Sequence, residues 1–316
     1  MKTRVASILR LKFIQRMSVY FITGAIQRSL AFLLLPLYAH TLPSSELGQL
    51  SLLLAVEIVV GIFLDSGFSQ SAVRYFHARE KHEGEIIVSR LYLTAAGYAL
   101  VVSILAFGAL TLLWGHVLST SRPPASLLAL VVISSFLQRQ VTFSQQLNRA
   151  RSQAKAFAVV SVLQIAITTS LTAAFLLVFD MGIEGVLLSR VLGALIPSAI
   201  GVVRLVRLSI RTRGKDLGVT MFSIWLFAVP LLFNQLASWG RNMADRFVLA
   251  NYVPIEHIGL YFTANLIAGI MFFVNSTFDQ TFAPFYYRNR RRNTPGFRMF
   301  VFRVSEMSFA TWALVC

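Results

Sequence analysis

The sequence is poor in what a water-soluble protein depends on. Charged residues make up only 13% of its 316 positions, against roughly 25% in a soluble domain. It has one cysteine, Cys316, at the last position, which excludes an internal disulfide and a cysteine-based metal site. Five histidines (His40, His77, His82, His116 and His257) are scattered without a ligand-spaced pair. No metal or cofactor is expected. No G-x-x-x-x-G-K-[ST] run occurs, so ATP hydrolysis is not expected of this chain. Acidic residues are scarce, 13 against 29 Lys and Arg, which gives a net charge of +16.

The chain is rich in apolar residues, which make up 56% of it, with a mean hydropathy of +0.67. Disorder is excluded, because it needs low hydrophobicity. The apolar residues fall in nine blocks, at 17–39, 49–73, 91–115, 126–148, 156–179, 185–203, 222–250, 258–284 and 299–316. A helix needs about 20 residues to cross a bilayer core of about 30 Å. A barrel would show short alternating strands instead of solid apolar runs. The expected fold is all-α, a multi-spanning helical membrane protein. The basic start, MKTRVASILRLKFIQR, leads into a block too long for the core of a cleavable signal peptide.

The positive charge explains itself by position. Twenty-two Lys and Arg lie in the loops of one side, and the opposite loops hold one, Arg122. The bias alternates at every crossing, a positive-inside signal that places the N-terminus in the cytoplasm. Nucleic acid is therefore not needed to account for the charge and is not an expected partner. The ninth block stops within its apolar run, which reads as a truncated protein. The competing reading is a natural nine-helix chain ending at the outer surface.

A shift of 211 residues lays Pro43-Ser-Ser-Glu46-Leu-Gly48 over Pro254-Ile-Glu-His257-Ile-Gly259. The same shift pairs Ala39 with Ala250, Tyr75 with Tyr286 and Arg79 with Arg290. Both copies start on the same side, so the repeat is parallel. That predicts two lobes related by an axis along the membrane normal, as in transporters. Residues 1–215 form a six-helix N-terminal lobe, and 216–316 a partial C-terminal lobe of about three helices.

The basic N-terminus is followed by L-P-S-S-E-L-G, with Leu42, Pro43, Glu46 and Gly48. Next comes L-D-S-G-F-S-Q-S-A-V-R-Y-F, with Asp65, Ser66, Gly67, Phe68, Arg74 and Tyr75. The stretch Q-Q-L-N-R-A-R covers 145–151. These features resemble the polysaccharide exporter family: the lipid-linked oligosaccharide flippases, O-antigen translocases among them. That family lies within the multidrug/oligosaccharidyl-lipid/polysaccharide exporter superfamily. The resemblance covers the chain in outline, with its specific motifs mostly in residues 17–80. It implies flipping of an undecaprenyl-pyrophosphate-linked glycan across a bacterial cytoplasmic membrane by alternating access. Candidate partners are a glycan polymerase and glycosyltransferases. Family members usually have twelve or more spans, and this chain ends in its ninth.

Ionisable residues within spans cost about 2.5–3.5 kcal/mol each on insertion scales, so each needs a reason. Arg28 and Glu57 fall at similar depth on sequential helices, which suggests either a structural ion pair or a switch broken by substrate or proton. Glu57, Gly61 and Asp65 share one helix face, which predicts contact with a helix or cavity, not lipid. Asp65 reads as hydrogen-bonded within its own L-D-S-G motif or as a coupling carboxylate. Asp279 is a third coupling or ion-pair candidate. Arg139, flanked by Gln138 and Gln140, is expected to line a cavity or to hold structure. Arg190, near a helix end, is expected to snorkel, with the cavity as its alternative. Arg241 and Asp245, four residues apart, are expected to pair.

Arginine exceeds acid among these charges. Arg28, Arg139, Arg190, Arg241 and Arg246 are candidates for holding a pyrophosphate, because guanidinium binds phosphate oxygens bidentately. Gln138, Asn234, Gln235 and Tyr261 are candidates to meet sugar. Three other functions compete. A drug/cation antiporter of the same superfamily would want an acidic cavity. A membrane enzyme such as a glycan polymerase would want paired carboxylates. The outer loops offer only Glu46, Asp180, Glu184 and Glu256, unpaired, so no enzyme activity is expected. The third is an inactive fragment of a flippase.

Overall fold

The computed structural model describes residues 18–19, 22–27, 29–30, 33–77, 81–117, 122–211, 221–269, 299, 302 and 306. The chain divides into two compact units, Met1–Phe262 and Thr263–Cys316. In the second, the described residues are helical. In the first, the described residues from 18 to 41 are helical (α1). Then follow α2 (Ser44–Asp65), α3 (Phe68–His77), α4 (Lys81–Val117), α5 (Ala125–Ala150), α6 (Ala154–Leu177), α7 (Gly182–Arg211) and α8 (Met221–Leu249). A further helix starts at 255 and runs through 262 (α9). Among the described residues there is no strand. Arg28, Asp279 and the 286–292 half of the repeat match lie outside the described residues.

Five of these helices are long and apolar enough to cross a membrane: α2, α4, α5, α6 and α7. α4 and α6 are mostly exposed, presenting Leu100, Val101, Ile104, Leu105, Leu112 and Val159 outward. Water would not tolerate such faces, and lipid covers them at no cost. The protein is a multi-spanning helical membrane protein. α8 is 29 residues long, but Asn234, Gln235, Arg241, Asp245 and Arg246 interrupt its apolar run, and it is not among the five.

The block expected at 49–73 is two helices. α2 ends at Asp65, Ser66 adopts a left-handed conformation (φ 40°) and Gly67 follows at φ 80°. Gly67 is required twice over. Its φ favours glycine, and a Cβ there would stand 2.9 Å from the carbonyl oxygen of Ala228 on α8. Ser66 Oγ donates to Phe63 O (2.6 Å) and shares a hydrogen bond with Tyr98 Oη (2.8 Å), which holds the break against α4. Phe68, Tyr98 and Trp225 then close a three-ring contact with edge-on centroid distances of 5.3–5.4 Å. They belong to a core with Phe76, Val88, Tyr92, Phe143 and Leu205, which ties α3 to α4, α5, α7 and α8.

α4 begins ten residues before the expected start at 91, and at 37 residues it is about 55 Å long. It therefore reaches beyond a core of about 30 Å. α7 continues through Pro197 to Arg211, past the expected end at 203. α5 and α6 match their expected bounds within two residues. α6 packs along α7 through small polar residues: Thr172 Oγ1 and Ser189 Oγ share a 2.6 Å hydrogen bond, and Gly193 admits Thr168.

The two copies of the P-x-x-x-x-G segment meet. Gly48 at the start of α2 faces the backbone of Ile255, and Gly259 on α9 faces the backbone of Ser44 and Gly48. Ser44 and Ile255 are themselves related by the 211-residue shift, so the contact is reciprocal, as a two-fold axis requires. A Cβ at either glycine would overlap a carbonyl oxygen. Replacing Gly48 or Gly259 with Val is expected to force the crossing apart at a cost of about 1–3 kcal/mol. The melting temperature of the purified protein reads this out, and an unchanged value in both variants would show that the crossing is loose.

Candidate functional site

α2 brings Glu57, Gly61 and Asp65 to one face, and all three line a cavity of about 280 Å³. α3 adds Ser69 and Gln70, α5 adds Ser135, Gln138, Arg139 and Thr142, α7 adds Arg190, and α8 adds Gln235. The helical spacing on α2 and the polar C-terminal half of α5 therefore converge, as the sequence pattern suggests.

Glu57 is buried and fully engaged. Arg190 Nε donates to its Oε2 at 2.8 Å, and Ser134 Oγ donates to Oε1 at 2.5 Å. Ser135 Oγ donates to the Glu57 carbonyl oxygen at 3.0 Å and to Val131 O at 2.8 Å. The expectation that Arg190 snorkels is thus corrected. Pairing with a buried carboxylate satisfies its charge inside the protein, so the side chain has no reason to reach for the interface. The Glu57 partner seen among the described residues is Arg190, 133 positions along the chain, where the depth argument had pointed to Arg28.

Asp65 accepts from Ser69 N (3.2 Å) and Ser69 Oγ (2.8 Å). It satisfies a free N–H group, that of Ser69, in the first turn of α3, the work an N-cap side chain does. Gly67 sets that turn, so the L-D-S-G motif is a helix break with its own cap.

Arg139 is the unusual member. It is 3% exposed, and its Nη1 donates to Gln140 Oε1 at 3.1 Å. Its Nε and Nη2 are buried and make no hydrogen bond. The rings of Tyr92 and Phe143 lie 5.9 and 5.6 Å from the guanidinium carbon. The Asp65 charge acts on it, but no hydrogen bond joins them. Unpaired buried donors are costly, about 1–3 kcal/mol or more for a charged group. Arg139 is also one of the residues that line the cavity. The Gln235 Nε2 on the cavity wall is likewise buried without an acceptor. The cavity wall thus carries two guanidinium groups, of Arg139 and Arg190, and two carboxylates, of Glu57 and Asp65.

The remaining candidates lie elsewhere. Arg246 is 6% exposed, donates weakly to Ser51 O (3.4 Å) and stacks 5.3 Å over Phe262, so it packs α8 onto α2 and α9. Arg241 is exposed on α8 and does not pair with Asp245. The Asp245 carboxylate instead accepts from Tyr261 Oη and from the backbone N–H of Arg246. Both partners already fix it, so the expected Arg241–Asp245 pair is corrected. Tyr261 is accordingly not on the cavity, whereas Gln138 is, held by Gln164 Nε2 at 2.5 Å. Asn234 is exposed. Ser134 and Ser135 escaped sequence reading, although two adjacent hydroxyls in the apolar run of α5 were a visible signal.

A sequence profile described as polysaccharide biosynthesis protein matches residues 13–285. The chain belongs to this family. The match spans both copies of the P-x-x-x-x-G repeat and every residue of the cavity, and it ties the protein to polysaccharide biosynthesis and export. Comparison with curated proteins gives no match, and comparison with solved structures gives none.

Proposed function

We propose that this family member flips a lipid-linked glycan across the cytoplasmic membrane of a bacterium and that its cavity receives the pyrophosphate link. The observation that carries this reading is Arg139, a buried cation with two unmet N–H donors on the wall of a cavity among five helices. Phosphate oxygens accept from a guanidinium fork in pairs. Two carboxylates match the two arginines on the wall, so the unmet donors and not the net charge favour an anion over a cation.

Size limits what the cavity takes as it stands. At about 30 Å³ per water, 280 Å³ is room for a small anion and not for an oligosaccharide. The glycan must pass when the helices part. The reciprocal Gly48–Gly259 crossing supplies a pivot at the end where α2 and α9 begin, and the polar cavity lies further along α2. The reading of two lobes, 1–215 and 216–316, rocking about that crossing is part of the proposal. So is an N-terminus in the cytoplasm, which rests on the basic loops. On arrival, the anion meets Arg139 and competes with Glu57 for Arg190. Opening that ion pair would uncouple α2 from α7. The protein then acts as a transporter and not as an enzyme.

Reconstituting the purified protein in phosphatidylcholine vesicles with a fluorescent polyprenyl-pyrophosphate oligosaccharide tests this. The expected result is protein-dependent loss of the label's one-sided accessibility to a membrane-impermeant quencher. Equal rates in protein-free vesicles would overturn the proposal.

A further inference from the structure

A second opening, of about 700 Å³, lies at the end of the bundle where the basic loops gather. It is lined by Glu85 of α4, Arg151 just past α5, and Ala199, Ile200, Val203, Arg204 and Arg207 of α7. It shares no residue with the central cavity.

The wall has two characters. Ile200 and Val203 are about half exposed and face outward on a helix that crosses the membrane. One turn further on, the same helix presents Arg204 and Arg207. An apolar strip that ends in guanidinium groups matches an amphiphile with an anionic head. Three arginines against one carboxylate leave a local excess of two positive charges.

The basic groups are held in place and incompletely satisfied. The Arg151 side chain is 5% exposed, and its Nε stands 3.3 Å from Glu85 Oε1 without hydrogen-bond geometry, so that buried N–H remains unmet. Arg204 Nη2 reaches Gln153 Oε1 at a long 3.4 Å. Arg207 makes no hydrogen bond or ion pair with the described residues. Burying Arg151 beside two exposed arginines is unfavourable unless an anion completes the group, and one acid does not balance three bases.

We infer that this groove binds an anionic phospholipid of the surrounding leaflet, with its phosphate at Arg151, Arg204 and Arg207 and an acyl chain along Ile200 and Val203. The site is separate from the translocation cavity and does not rest on the flippase reading. A bound lipid would tie the ends of α4, α5 and α7 together, which are the ends that must move if the helices rock.

Native mass spectrometry of the full chain, released from micelles supplemented with phosphatidylglycerol or phosphatidylcholine, tests the inference. The wild type is expected to retain phosphatidylglycerol and lose phosphatidylcholine. Arg204→Ala/Arg207→Ala is expected to weaken phosphatidylglycerol retention about thirtyfold, at about 1 kcal/mol per basic residue near an anionic surface. Arg139→Ala should retain it like the wild type. Because both exchanged arginines are exposed, the double variant should melt like the wild type in phosphatidylcholine alone, which separates lost binding from lost folding. Equal retention of the two lipids, or full retention by the double variant, would overturn the inference. Displacement of phosphatidylglycerol by millimolar inorganic pyrophosphate at equal molarity would also overturn it, by showing a free-anion site.

Discussion

Arg139→Ala is expected to weaken binding of the pyrophosphate-linked substrate roughly ten- to a hundredfold while leaving the protein in the membrane. The side chain buries a charge with two unmet donors, so the folded state gains little from it in the absence of ligand. Its removal also deletes only one hydrogen bond, to Gln140. Stability should therefore change little. Binding should change greatly, because a charge-assisted hydrogen bond contributes about 1.5–3 kcal/mol, which is roughly ten- to a hundredfold in affinity. Arg139→Lys keeps the charge but loses the fork and should recover only part of the binding. Titration of the purified protein with a fluorescent polyprenyl pyrophosphate measures both. Wild-type affinity in Arg139→Ala would remove this residue from the site.

The second large effect concerns the Glu57–Arg190 pair, and it is asymmetric. Glu57 is 4% exposed at its side chain, whereas Arg190 keeps 32%. Replacing Arg190 with Met strands a buried carboxylate on one serine hydroxyl, a loss of about 3–5 kcal/mol. Replacing Glu57 with Gln strands the more accessible partner, which solvent screens in part, and should cost less, about 1–3 kcal/mol. The double variant Glu57→Gln/Arg190→Met removes both charges and should regain most of the stability. Melting temperatures of the three variants in one detergent give the order. If Glu57→Gln were the worst of the three, the pair would not be arranged as described.

Much of this was legible in the sequence, because lipid makes the hydrophobic pattern a strong constraint. α5 is the clearest case. Pro124 sets its start, and the S-Q-A-K stretch after Arg151 ends it, so its bounds followed from residues alone. The shared face of Glu57, Gly61 and Asp65 was legible for the same reason: helical spacing is a local property, and a carboxylate face needs a polar environment. The P-x-x-x-x-G repeat was legible as an alignment, although only the structure shows its copies in contact.

What sequence could not give was set by tertiary contact. The apolar block read at 49–73 hides the break at Ser66-Gly67, because the turn depends on α8 packing against Gly67. Depth along a helix suggested Arg28 as the partner of Glu57. Depth cannot say which of several helices presents an arginine there: Arg190 on α7 pairs with Glu57, and Arg28 lies outside the described residues. The same limit applies to Arg246. Its charge on an apolar helix resembles that of Arg139, but it packs under Phe262 and donates to Ser51.

The most direct test of the account is surface glycan in a bacterium that lacks its own glycan flippase and carries the matching biosynthetic enzymes. Expressing this protein should restore the glycan to the cell surface. Arg139→Ala, at equal abundance in the membrane, should leave the surface bare. Normal surface glycan with Arg139→Ala would contradict the central claim that this cavity carries the pyrophosphate across.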